Sequence, residues 1–197
     1  MRISPKITMP LFAAILILAG VVIRHKSIPD PPLPETRIAG DTSISGPPSA
    51  PPVSENQTAD KVEVFKAKRL MILYQDDKII RQYRVALGDQ PVGPKRFQGD
   101  EKTPEGLYYL DYRNPQSRYH LSIHISYPSD KDQQYAGQFN QSPGGDIFIH
   151  GLPHKYSFWG KLHRLHDWTD GCIAVTNEEI EEIWKLCPDG IPIMIYP

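Results

Sequence analysis

The sequence predicts a mainly β domain of the α+β class, with a sandwich- or barrel-like core and one helix near the C-terminus, set behind a membrane anchor and a disordered linker. Three observations predict it. Residues 61–197 hold several short, β-prone apolar runs separated by turn residues. The same region has one stretch with clear helical spacing, and the chain before it is first apolar and then proline-rich. Composition narrows the function. The 22 Lys and Arg against 23 Asp and Glu leave a formal charge of -1, which speaks against nucleic acid as a partner, since phosphate binding needs a basic excess or stripe. Two cysteines are too few for a disulfide framework or a cysteine-based zinc finger.

Residues 1–26 are read as a signal or anchor. The apolar stretch Ile7 to Ile23 lies between Arg2 and Lys6 on one side and Arg24, His25 and Lys26 on the other. It has the length of a signal-peptide core or a short membrane span. Val21-Val22-Ile23 runs straight into charge with no small-residue cleavage site, which favours an uncleaved anchor. No cysteine follows Leu18-Ala19-Gly20, so a lipoprotein anchor is not expected.

Residues 27–60 are read as a linker. They contain eight prolines and no aromatic residue, too little apolar surface to offset the entropy of ordering. As polyproline II they would reach on the order of 100 Å.

In residues 61–197, Arg69 to Tyr74 and Ile79 to Leu87 form a predicted hairpin around Gln75-Asp76-Asp77-Lys78. Further strands are expected at Gly106 to Tyr112, His120 to Tyr127, Ile147 to His150 and Ile191 to Tyr196. The helix is marked by a capping box, Thr176 with Glu179, then by Ile180, Ile183, Trp184 and Cys187 at helical spacing. Pro188-Asp189-Gly190 ends it, and Cys187 falls on the apolar stripe as a core residue, free rather than bridged to Cys172.

Chemistry concentrates between Ile147 and Ala174. Ile147-Phe148-Ile149-His150-Gly151 delivers a histidine at the end of an apolar strand, beside a glycine that permits close approach. Asp167-Trp168-Thr169-Asp170-Gly171-Cys172 then places a cysteine after a glycine. A free thiol is mostly protonated at neutral pH, so a nucleophilic Cys172 needs a base, and His150 is the candidate. Gly171 would let the backbone N–H groups around Cys172 face a developing oxyanion. Set against this, a lone cysteine is most often a small buried hydrophobe.

At these residues the sequence resembles the YkuD-like L,D-transpeptidase family. His150-Gly151 matches the family's strand-ending His-Gly, and Thr169-Asp170-Gly171-Cys172 matches its Ser/Thr-x-Gly-Cys element. Gly99-Asp100-Glu101-Lys102-Thr103-Pro104-Glu105-Gly106 looks like a third family stretch. The resemblance covers nearly all of residues 61–197. It implies a β-rich catalytic domain without a cofactor or metal, working on peptidoglycan stem peptides in cell wall biogenesis. Cys172 would be the nucleophile that attacks the bond following meso-diaminopimelate, and His150 the proton donor and acceptor. Gly151, Thr169, Asp170 and Gly171 would shape the substrate and oxyanion site. With the anchor, it implies a domain on the periplasmic side of a bacterial inner membrane.

The sequence departs from the family pattern where Asp170 replaces a basic residue and Ala174 stands in place of a later Arg or Asn. A substrate carboxylate would then need another partner, with Arg164, Lys161 or Arg113 available. A branch of the family hydrolyses a crosslink to diaminopimelate, and Arg113-Asn114-Pro115 through Tyr119-His120-Leu121 looks somewhat like it. Histidine before cysteine is the reverse of the order in NlpC/P60-like and papain-like hydrolases. Sortases need an arginine after the cysteine, and the last arginine here is Arg164. A metal-dependent hydrolase built on His150, His154, His163, His166 and Asp167 is the alternative of another class. More simply, His154, His163 and His166 would sit on a loop over the site, with Tyr156, Phe158 and Trp159 packing or lining the groove. His120 and His124 are expected on one face of a strand, in a structural role. Asp170 could orient His150.

Overall fold

A computed structural model describes residues 57–197, so the expected anchor and all but the end of the expected linker lie outside the described residues. Eight strands form one sheet: β1 Lys61–Phe65, β2 Leu70–Gln75, β3 Lys78–Arg84, β4 Gly106–Asn114, β5 Ser122–Ile125, β6 Phe148–His150, β7 Ile173–Ala174 and β8 Pro192–Tyr196. Two α-helices accompany them, α1 Asp130–Gly137 and α2 Asn177–Leu186, with 3-10 segments at Lys66–Lys68 and His154–Leu165. The spatial order is β3-β2-β1-β8-β4-β5-β6-β7. Among the described residues, no helix is long and apolar enough to cross a membrane.

The expected β2–β3 hairpin forms, and its turn shows why. Asp76 and Asp77 take φ values of 50° and 58°, the left-handed conformation that tight hairpin turns require and short carboxylate side chains tolerate. The second expected run, Ile79 to Leu87, does not stay in this ladder over its whole length. β3 ends at Arg84, and Ala86 then exchanges both backbone hydrogen bonds with Ala174 of β7, at 3.0 and 2.8 Å. The two edges of the sheet therefore meet. One curled, nearly closed sheet replaces the two stacked sheets of a sandwich, and the barrel-like form of the expectation describes it better.

β1 escaped the sequence reading. Its sequence KVEVF alternates strictly, Val62 and Val64 are fully buried, and the strand pairs in parallel with β8. The order of the domain also begins slightly before residue 61. Ala59 is buried and donates to Leu186 O at 2.7 Å, and Asp60 accepts from the Asp76 amide at 2.6 Å. Helix α1 is the other unforeseen element. Ser129 and Asp132 form a capping box, but the helix buries only Asp132 and Ala136, so it has no apolar stripe to announce it.

Helix α2 follows the sequence closely. Thr176 and Glu179 cap it reciprocally, and Ile180, Ile183 and Leu186 are fully buried against the sheet. Cys187 is buried, Cys172 is partly exposed, and both thiols are free. Arg81 and Tyr83 of β3 both hold Glu182, which locks the hairpin to this helix. The packing of α2 against β6 supports the strand that ends in His150.

Candidate active site

β6 and β7 run in parallel, with Ile149 opposite Ile173 and His150 opposite Ala174. Cys172 immediately precedes β7, two residues before the Ala174 that lies opposite His150. One strand spacing across and two residues along separate their Cα atoms by about 8 Å. Both line a cleft of about 600 Å³.

His150 is buried, and Tyr119 covers its ring at 4.4 Å between centroids while Trp168 meets it edge-on at 5.9 Å. Its Nδ1 lies 2.7 Å from Gly151 O. A carbonyl can only accept, so Nδ1 carries the proton and Nε2 holds a lone pair. Burial pushes the imidazole down to about 4, against the smaller opposing effect of that carbonyl. The ring is neutral at pH 7.

The Cys172 sulfur accepts from the Phe148 amide at 3.4 Å and faces Asp146 O at 3.6 Å. Burial pushes the thiol up to about 11. The Phe148 amide works against that, whereas the Asp170 and Asp146 carboxylates add to it. The resting pair is a neutral thiol beside a neutral imidazole.

The turn before the cysteine is braced from inside. Thr169 Oγ1 donates to Cys172 O at 2.7 Å and accepts from the Gly171 amide at 3.2 Å. Gly171 has φ 130°. The expected third stretch, from Gly99 to Gly106, lies behind this turn rather than in the cleft. Burial alone would raise Asp100, but the amides of Arg96 and Phe97, the Lys95 ammonium and the Lys102 amide outweigh it and hold its carboxyl below the usual range. Thr103 Oγ1 accepts from the Gly88 amide at 3.0 Å, and Lys66, itself buried, clamps Thr103 O, Gly93 O and Glu105. This scaffold presents Lys102 O to the back of Gly171.

Several sequence expectations change. The Gly151 amide is taken by Leu121 O at 3.2 Å, and a Cβ there would meet Asn177 Oδ1 at 2.6 Å, so Gly151 is a packing position and its amide is not free for substrate. Asp170 lines the cleft, but the hydrogen bond of the His150 ring goes to Gly151 O instead. Arg164 is paired with Glu179, and Arg113 with Asp189 and Cys187 O; neither lines the cleft, nor does Lys161. The basic residue that does is Arg118, which the sequence reading missed because nothing in a loop sequence says which way its arginine faces. His120 precedes β5 at φ 71° and pairs with Glu181, whereas His124 is in the strand beside Asp111, so the two do not share a strand face.

The residues after Gly151 form a 3-10 segment with a kink at Gly160. Tyr156, Trp159, His163 and His166 line a second, largely aromatic cavity of about 310 Å³ that borders the cleft through Tyr119 and Trp168. Phe158 is not part of it and is 78% exposed. Asp167 binds Arg69 and the Leu87 amide, and Trp168 Nε1 donates to His163 Nδ1 at 3.4 Å. Among the described residues no group of three or more His, Cys, Asp or Glu is placed to hold a metal ion, so the five residues weighed as a metal centre do not assemble into one.

His163 resembles His150 in one respect. Burial, with Arg164 and His150 nearby, pushes it down to about 4. Histidines of an unfolded chain protonate below about 6.5. Between about pH 6.5 and 4 the unfolded state therefore binds more protons, so stability is fully present above that window and is lost as pH falls through it. The loss at pH 4 is roughly 3 kcal/mol for the fully enclosed His150. Urea midpoints should drop steeply from pH 7 to 4.5, and less so in His163→Phe; equal midpoints at both pH values would contradict the two neutral imidazoles.

Comparison with known proteins agrees with this architecture. Residues 59–195 match the YkuD family, the L,D-transpeptidase catalytic domain. The putative L,D-transpeptidase YafK of Escherichia coli K12 is 26% identical over 151 residues, 69% of this chain and 53% of that protein. The crystal structure of the helical cell shape determining protein Pgp2 from Campylobacter jejuni is 27% identical, with a TM-score of 0.52, covering 71% of this chain and 48% of that one. Bd1075 of Bdellovibrio bacteriovorus is 25% identical, with a TM-score of 0.50, over 73% of this chain and 49% of that one. The chain thus spans about half the length of these relatives. With the family matched over most of its length, and a β-rich fold of the same kind, the chain belongs to the YkuD family of L,D-transpeptidase catalytic domains.

Proposed function

We propose that this domain is a cysteine L,D-transpeptidase acting on diaminopimelate-containing stem peptides of peptidoglycan. The observation that carries the reading is the placement in one cleft of His150, at the end of β6, and Cys172, just before β7, with Nδ1 committed to Gly151 O and Nε2 left to take a proton. Nε2 takes the thiol proton as the sulfur attacks the carbonyl carbon of diaminopimelate. The tetrahedral oxyanion forms beside the Cys172 amide, which has no acceptor among the described residues, unlike the amides of Gly151 and Gly171. Its collapse breaks the C–N bond, the imidazolium returns the proton to the leaving D-alanine amine, and a thioester remains. An amine of a second stem completes transfer through the same proton relay, and water in its place gives hydrolysis.

The same reading places the domain on the periplasmic side of an inner membrane, tethered by the apolar segment at Ile7 to Ile23 through the proline-rich stretch; its support is the sequence. A part in cell shape is proposed by analogy with Pgp2, which is described as a helical cell shape determining protein. The full chain should release D-alanine from a diaminopimelate tetrapeptide and carry the remaining acyl group on Cys172, detectable by intact and peptide mass. Added amine should yield the crosslinked product. Absence of both D-alanine release and the Cys172 adduct would overturn the reading, and free acid as the sole product despite added amine would reassign the enzyme as a hydrolase.

A further inference from the structure

The charges of the cleft are few. Arg118, in the β4–β5 connection, is the one Lys or Arg among the described residues that line it. Asp146 and Asp170 line it next to the thiol: the Asp146 carbonyl touches the sulfur at 3.6 Å, and Asp170 is two residues before Cys172. None of the three side chains has a hydrogen bond or ion pair among the described residues. Arg69, Arg113 and Arg164, by contrast, are all held by carboxylates.

Two carboxylates beside a nucleophile are a burden to the free enzyme, because they oppose both the thiolate and the oxyanion that follows. An ammonium group bound there removes that opposition. A free guanidinium in the same cleft offers a planar fork for a carboxylate. A ligand that satisfies both poles carries an ammonium and a carboxylate close together. The far end of the diaminopimelate side chain is such a group, a free amino-acid carbon joined by a short methylene chain to the carbonyl that the sulfur attacks.

We propose that Arg118 is a specificity-determining residue that selects donor stems by the free distal carboxylate of diaminopimelate, while Asp146 and Asp170 take the ammonium on the same carbon. The assignment rests on the acyl transfer proposed above and names the part of the donor that the cleft reads. It also explains how the site can do without the basic residue that Asp170 replaces: Arg118 supplies the cation of the cleft.

The test uses the full chain and three donor tetrapeptides that differ at the third residue: diaminopimelate, diaminopimelate with its distal carboxylate amidated, and lysine. D-Alanine release and acylation of Cys172 give kcat/KM for each. The unmodified donor should be preferred by about 10- to 100-fold, the worth of a charge-assisted contact. Arg118→Gln should erase that preference by lowering the diaminopimelate rate alone, chiefly through KM, and Arg118→Lys should restore part of it. Asp146→Asn with Asp170→Asn should slow all three donors, since each keeps the ammonium. Equal use of the three donors by the parent, or an undiminished preference in Arg118→Gln, overturns the assignment and leaves acyl transfer standing. Failure of all three donors to acylate the parent overturns both. Arg118 is exposed and unbonded, so its variants should fold; a melting midpoint near the parent's confirms that the kinetics report on the cleft.

Discussion

Cys172→Ala should form no acyl-enzyme and release no D-alanine, and His150→Asn should acylate about 100- to 10,000-fold more slowly than the parent, the usual worth of a positioned general base. The size of the second effect follows from the environment of the thiol. With the thiol pushed up to about 11, only about one molecule in ten thousand is ionised at pH 7, so spontaneous thiolate is a poor substitute for proton removal by Nε2. Asn at position 150 can still donate to Gly151 O and fill part of the space under Tyr119, which makes it a better probe of the base than alanine. Both variants are read by intact mass after exposure to donor peptide, with stopped-flow acylation for His150→Asn. A Cys172→Ala protein that still turns over would remove the covalent mechanism. A His150→Asn rate within threefold of the parent would assign the proton to another group and leave His150 a packing residue.

The features that were legible in the sequence share a physical property: their partners are close along the chain. The α2 capping box, its apolar stripe and the Asp76-Asp77 turn are all settled within a few residues, and each formed where expected. That Cys172 and His150 line one cleft was foreseeable for another reason, since both sit in short glycine-containing motifs. What could not be read depends on contacts across the chain. β1 alternates, but its charged residues disguised a strand that exists because β8 pairs with it in parallel. Leu87 looked like the end of a strand, yet Val85 to Leu87 turns away to close the sheet against Ala174 and the turn at Thr169. The arginine that lines the cleft is Arg118 rather than Arg164 or Arg113, because Glu179 and Asp189, far off in sequence, claim the other two. The stretch from Gly99 to Gly106 was visible as a motif, but its place behind Gly171 was not. Its Asp100, Thr103 and Glu105 are spent on building a support.

That support gives the second large effect. Gly171→Ala should lower the melting midpoint by about 10 °C or more and reduce acylation along with it. A Cβ at Gly171 would lie 2.5 Å from Lys102 O and 3.1 Å from Ile147 Cδ1, at a φ of 130° that L side chains rarely adopt. The backbone strain alone costs about 1–3 kcal/mol. The clash adds to it, because the opposing oxygen cannot retreat cheaply: Asp100 holds the Lys102 amide, and Lys66 holds the next carbonyl, Thr103 O. Gly88 fills the remaining space, with its own Cβ direction 3.1 Å from Gly171 Cα. Relief must therefore come from the turn itself, which would loosen the Thr169 bonds to Cys172 O and the Gly171 amide and move the thiol relative to His150. Each kcal/mol is worth about 3–5 °C in a domain of this size, so a loss of about 3 kcal/mol gives the stated shift. Gly137→Ala is the control, since it has nothing within 4 Å of its Cβ position and ends a helix without positive φ, and should stay within about 1 kcal/mol of the parent. If Gly171→Ala melts like Gly137→Ala and acylates normally, the turn is softer than its contacts imply, and the scaffold from Asp100 to Thr103 does not hold the nucleophile in place.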